Sequence, residues 1–217
     1  MAANPWESLF DGRTFTGWRS PSGETALDGA WRIDPGGLLT VRPHVQRRTD
    51  LWTARADYLD FDLEWEWRAT PGANSGVKYW VEKAYTLVVI KEDEDWRRVA
   101  KPSDAAPGDT TIEYTVGLEY QLAAPDEPTA LVKPDTRAGA IYSIQAPAIE
   151  AVKPAGQWNR SRLIVRADRI EHWLNGRLVL RAAVAGEIAK RRRAGPIALQ
   201  YHQTEVAFRR IRVRRSS

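Results

Sequence analysis

Glu119 and Gln121 lie two residues apart in Leu118-Glu119-Tyr120-Gln121-Leu122, so a strand there carries both polar groups on one face and its apolar residues on the other. A carboxylate can take or give a proton, and an amide beside it can orient a polar ligand. Lys78 alternates with Val77 and Tyr79 in the stretch after Asn74-Ser75-Gly76 and points, with Trp80, away from them. Its ammonium suits the stabilisation of an oxygen that gains negative charge. His202 closes the apolar run Ile197–Tyr201 on the face of Gln200, and imidazole titrates nearest neutral pH. Glu119, Lys78 and His202 are therefore the catalytic candidates. Gln121, Gln200 and Asn74 are polar contacts for a ligand, Tyr142 a hydroxyl donor, and Trp80 and Trp173 stacking surfaces. Each has a plainer alternative: two polar groups on one strand face also arise from solvent exposure, and a lone histidine or a tyrosine between isoleucines is commonly packed.

Strands must position these groups. Phe61, Leu63, Trp65 and Trp67 alternate with Asp62, Glu64, Glu66 and Arg68, Pro71 to Asn74 supply turn chemistry, and alternation resumes at Val77, which predicts an antiparallel pair over Phe61–Val81. Trp31–Val41 predicts strand, turn and strand about Pro35-Gly36-Gly37, and Trp6–Trp18 a small opening hairpin or edge strand. Gln157–Leu180 predicts a three-strand meander with Asn175-Gly176 as its tight turn. Ala138–Ile144 predicts a further short strand, and the stretches Pro196–His202 and Val206–Val213 a last strand pair. Glu187–Arg193 offers one or two helical turns, while Lys91–Gly108, with Pro102 and Pro107, predicts a surface excursion. Many short strands and almost no helix mean an all-β, two-sheet antiparallel β-sandwich or jelly roll, with a closed barrel as the alternative. No fixed-period repeat or Gly/Ser linker occurs, so residues 1–217 are expected to form one domain.

Composition narrows the chemistry. The chain has no cysteine, which excludes disulfides, thiolate nucleophiles and sulfur-ligated zinc. Three histidines without close His/Asp spacing give no strong metal motif, so a cofactor, if any, is a divalent metal ion held by carboxylate, amide and imidazole groups. A formal charge of +4 concentrates late, in Lys190–Arg193 and Arg209–Arg215, without a nucleic-acid fold signature, so no nucleic acid partner is expected. No membrane span and no signal peptide are visible, and compartment and oligomeric state stay open. Ten tryptophans in 217 residues suit both a large core and flat surfaces for sugar rings.

LFDGRTFTGW near the start, then NSGVKYWV, GLEYQL, GAIYSIQAP, KPAGQWNRSRLIV, RIEHWLNGRLVL and finally GPIALQYH with VAFRRIRV together resemble, in order, the landmarks of the 3-keto-disaccharide hydrolase domain family. The resemblance spans Leu9 to Arg214 and implies a concanavalin A-like jelly roll. It also implies action on glycosides already oxidised to a ketone at C3 of the sugar, and a periplasmic or secreted location. Two departures stand out. The link Glu82–Val116 is longer than the family's and reads as an insertion, and Gln200-Tyr201-His202-Gln203 stands where the family commonly has Gln, Asp, His, Gly. A C3 ketone acidifies the C2 hydrogen, so a base can remove it, the C1 oxygen can leave, and water can add to the enone. That is a net hydrolysis of a carbohydrate substrate without paired catalytic carboxylates. The alternative is a non-catalytic carbohydrate-binding module of the same fold, since fold alone separates neither.

Overall fold

A computed structural model describes residues 4–92, 96–100, 110–125 and 133–216, and almost all of the regular structure is β. In chain order it comprises β1 (Glu7–Ser8), β2 (Trp18–Arg19), β3 (Trp31–Asp34), β4 (Leu38–Val41), β5 (Arg47–Thr49), β6 (Leu51–Thr53), β7 (Phe61–Ala69), β8 (Asn74–Glu92), β9 (Trp96–Ala100), β10 (Thr110–Ala123), β11 (Asn159–Val165), β12 (Arg169–Leu174), β13 (Arg177–Ala183), the single-turn α1 (Gly186–Ala189), β14 (Ala198–Leu199) and β15 (Val206–Arg215). The first sheet runs β13-β12-β11-β7-β15-β4-β3, with β1 added to β15. The second runs β2-β6-β14-β8-β10-β5, with β9 added to β8. Pairing is antiparallel throughout the described residues except at one edge, where β5 runs parallel to β10. The molecule is the expected two-sheet sandwich.

Period-2 alternation explains which side of each sheet is buried. Phe61, Leu63, Trp65 and Trp67 of β7 are at most 1% exposed, and Val77, Tyr79, Leu118 and Tyr120 face them from the second sheet. Trp65 meets Tyr120 edge-on at a centroid distance of 5.0 Å. Each such aromatic stabilises the sandwich by roughly 1.5–3 kcal/mol through burial. His172 is held in this core and not at the surface. Burial pushes its pKa down to about 3, so the ring is neutral. With Nδ1 donating to the Gly139 carbonyl at 2.9 Å, Nε2 is left to accept from the Tyr79 hydroxyl at 3.1 Å.

Three expected local pairings differ. β7 and β8 do not form a hairpin: β7 pairs with β11 and β15, whereas β8 pairs with β10 and β14 in the other sheet. The turn at Pro71–Ala73 thus crosses the sandwich, since turn residues reverse the chain without dictating which sheet receives it. For the same reason β14 and β15 belong to opposite sheets. Ala138–Ile144 is a series of turns touching β10 through a single Tyr120–Ile141 bridge. The opening segment takes the edge-strand alternative: β2 closes one edge of the second sheet beside β6, while β1 joins β15. The β3–β4 hairpin and the β11–β12–β13 meander form as expected, with Asn175 and Gly176 both at positive φ (51° and 82°) in the tight turn. Of the surface excursion expected at Lys91–Gly108, residues 93–95 and 101–108 lie outside the described residues, while β9 pairs with the far end of β8.

Candidate active site

The outward face of the second sheet carries the polar cluster. In the β8–β10 register Lys78 lies opposite Glu119, Gly76 opposite Gln121 and Asn74 opposite Ala123, while Ala198 of β14 lies on the other side of Lys78. Alternation therefore delivers Lys78 from β8, Glu119 and Gln121 from β10, and Gln200 from just past β14 to one surface. Gly76 is required in the middle of it: a methyl group there would meet Glu119 Cδ at 2.7 Å, so only glycine lets the carboxylate fold across β8.

Lys78 is the hub. Only 2% exposed, its ammonium lies 3.4 Å from Asp50 Oδ2 and 3.9 Å from Glu119 Oε2, and it donates to the Thr115 carbonyl at 3.0 Å. The ring of Tyr114 caps it, with Nζ 4.8 Å from the centroid. Burial disfavours the ammonium, but Asp50 and Glu119 outweigh that and raise the pKa of Lys78, so it remains charged. Glu119 has the opposite fate. Burial, with a smaller push from Asp50, raises its pKa to about 7 against the pull of Lys78. Asp50 is committed at both oxygens, Oδ2 to Lys78 and Oδ1 to the Tyr201 backbone N–H at 2.8 Å. Glu119 thus stands as a carboxylate that can exchange a proton near neutral pH.

Around this centre, the Gln200 amide donates to Glu119 Oε2 at 3.4 Å and the Gln121 amide to Asn74 Oδ1 at 2.9 Å. Among the described residues the Oε1 atoms of Gln121 and Gln200 are buried without a hydrogen-bond donor, and of the two residues Gln200 borders the pocket beside His202. His202 lies exposed at the rim of a pocket of about 220 Å³ that also involves Asp50, Lys78, Tyr114 and Gln200. Packing about its ring, with Lys78 and Arg48 adding, holds its pKa below the usual histidine value. Tyr142 is 42% exposed and its backbone N–H donates to the Glu119 carbonyl at 3.0 Å, which sets it beside the cluster.

Two residues expected at this surface are elsewhere. Trp80 is fully buried: at φ 49° it interrupts the alternation of β8, so its side chain packs into the core 6.3 Å from Tyr79 instead of following Lys78 outward. Trp173 does face outward, but on β12 of the first sheet, the other side of the sandwich. Asp50 was not legible in the sequence, since it sits alone between two three-residue strands with no periodic partner. Tyr114 and the Thr115 carbonyl come from the end of the Glu82–Val116 segment, of which Ile112, Glu113 and Tyr114 line the pocket. No group of three or more His, Cys, Asp or Glu among the described residues could hold a metal ion, and the Lys78 ammonium takes the place between Asp50 and Glu119 where a cation would sit. Among the described residues no helix is long and apolar enough to cross a membrane.

Residues 5–214 match the family described as the 3-keto-alpha-glucoside-1,2-lyase-like domain. The chain belongs to this family. It is 30% identical over 186 residues to a 3-keto-disaccharide hydrolase of Bacteroides thetaiotaomicron, a match that takes in 82% of this chain and 58% of the relative, so the chain spans little more than half the length of that enzyme. Among solved structures it resembles a Parabacteroides distasonis protein provisionally assigned to the glycosyl hydrolases, at 24% identity and a TM-score of 0.72 over 98% of this chain and 94% of the other. A β-glucanase of Bacillus licheniformis shares the fold at 9% identity, with a TM-score of 0.53 over 100% of both chains. The chain thus combines membership of this family with a jelly-roll sandwich shared with these solved structures.

Proposed function

We propose that the domain cleaves 3-keto-glycosides by proton abstraction at C2 followed by elimination and hydration. The observation that carries this is the division of labour between two carboxylates at one ammonium: Asp50 is tied at both oxygens, and Glu119 is pushed to a pKa of about 7. One free carboxylate is what C2 deprotonation needs, whereas a conventional glycosidase needs two. In this reading Glu119 takes the C2 hydrogen, whose acidity comes from the neighbouring ketone. The bonding electrons pass to the C3 oxygen, and Lys78 stabilises the enolate. Collapse of the enolate expels the C1 oxygen, with the N–H of the neutral His202 ring at the rim as its proton donor. Glu119 exchanges the abstracted proton with solvent; water then adds at C1 of the enone, its spare proton restoring His202 while Glu119 protonates C2, which balances as hydrolysis. The free acceptor of Gln200 takes a sugar hydroxyl, and Asn74 and Tyr142 line the approach.

The test is release of an aglycone from a 3-keto glucoside and from its unoxidised parent. Release from the ketone alone is expected, and Glu119→Gln should lower turnover at least roughly tenfold, the scale of a lost general base. Binding of either sugar without release from the ketone would make the same cleft that of a carbohydrate-binding module.

A further inference from the structure

The outward face of the first sheet carries a second trough that the proposed chemistry does not use. Two open depressions, of about 520 and 560 Å³, share Glu64 and Arg160 and so run together across β15, β7, β11 and β12. That crossing covers three strand spacings, roughly 14 Å at ~4.8 Å each. Trp6 stands at one end, its ring 4.7 Å from the Arg212 guanidinium, and Trp173 at the other, its indole N–H held by Glu171 at 3.0 Å. Both rings are half-buried, fixed by their neighbours yet accessible.

The floor between them is cationic but not uniformly so. Arg160, Arg162, Arg210, Arg212 and Lys153 line it, five cations against the two carboxylates Glu64 and Glu66. Arg160 donates to Glu64 at 3.0 Å and Arg210 to Glu66 at 2.9 Å, while their side chains remain 61% and 72% exposed. A guanidinium has five N–H donors in a planar fork, so each retains donors facing solvent after one ion pair. The carboxylates hold the arginines in place and can themselves accept hydrogen bonds from hydroxyl groups.

We propose that this trough binds an acidic polysaccharide, a chain of uronate-type sugars, with Trp6 and Trp173 against ring faces and Arg160 and Arg210 on the carboxylates. The mixture of cations, hydroxyl acceptors and aromatic rings suits a polymer that alternates carboxylates with hydroxyls. It suits a DNA strand poorly, because a phosphodiester backbone has no donor for Glu64 or Glu66 and carries a charge at every step. The site lies on the sheet opposite Lys78 and Glu119, so occupancy would tether the domain to a polymer while the other face stays free.

Affinity electrophoresis at physiological salt in gels containing polygalacturonate, neutral dextran or single-stranded DNA tests this with the whole chain. Retardation by polygalacturonate and not by dextran is expected. The double variant Arg160→Ala with Arg210→Ala should weaken binding by at least roughly tenfold, the scale of one lost charge-assisted hydrogen bond. Glu64 retains Arg212 and Glu66 retains Arg209 in that variant, so its melting temperature and its 3-keto-glucoside cleavage should match the parent chain. A second variant, Trp173→Phe, keeps an apolar ring and should bind more weakly than the parent by a smaller factor. Absence of retardation by polygalacturonate, equal or stronger retardation by DNA, or unchanged binding in the double variant would each overturn the proposal.

Discussion

A carboxyl group beside an ammonium normally ionises more easily, yet Glu119 does the reverse because burial outweighs Lys78. Two consequences follow for this residue. In the proposed role Glu119 must be deprotonated, so kcat/KM should rise as pH increases through about 7, and the rise should vanish in Glu119→Gln. Stability should move the other way. A folded pKa above the unfolded value means that the native chain holds a proton the unfolded chain has released, so stability falls as pH climbs between about 4.5 and about 7. Glu119→Gln removes that cost, and its chemical-denaturation free energy at pH 8 should exceed the parent's by about 1–3 kcal/mol while activity is lost. A variant that is inactive and less stable at pH 8 would contradict this balance. Gly76 tests the same atoms sterically: Gly76→Ala should displace the carboxylate and lower turnover at least roughly tenfold, with the melting temperature little changed. The positions of Lys78, Glu119 and Gln121 were legible because alternation fixes direction. Trp80 was not, because one residue in the left-handed region reverses that direction and leaves no mark in the residue types.

At the scale of elements, β7 shows how a strand can be polar on its outward face and still be buried on both. Asp62 is 1% exposed, accepting from Arg162 at 2.9 Å, Arg166 at 2.6 Å and Arg214 at 2.5 Å, and Glu64 accepts from Arg160 and Arg212. Burial works against the Asp62 carboxylate, but these guanidinium contacts win and hold its pKa below the ordinary value. Its contribution is therefore complete above about pH 4 and is lost as pH falls through the lowered folded value. Asp62→Ala should cost about 2–3 kcal/mol at pH 7, less than a fully buried pair because the arginines can turn to solvent, and the difference from the parent should shrink towards pH 2. A constant difference across that range would assign the loss to packing alone. The existence of most strands could be read from alternation and turn residues, but their partners could not. Pro71–Ala73 has the chemistry of a hairpin turn and instead passes between sheets, because the choice depends on which distant strands, β11 and β15 or β10 and β14, fill each layer.

On the scale of the whole molecule, the sandwich presents two polar faces of different character. The second sheet gathers Asp50, Lys78, Glu119 and Gln200 from four separate segments into one cluster, and the Glu82–Val116 segment adds Tyr114 as its wall. We infer that this segment is an insertion that narrows the cleft of one single domain. The first sheet presents the arginine and carboxylate lattice. The family could be read from an ordered set of short motifs, whereas the pairing of Asp50 with Lys78 needed the fold, since 28 residues of chain separate them. The central claim is that cleavage begins with loss of the C2 hydrogen. Its most direct measurement is mass spectrometry of the sugar released from a 3-keto glucoside in deuterated water, corrected for exchange without enzyme. One deuterium at C2 in every turnover is expected; release of sugar with its original C2 hydrogen intact would contradict the account.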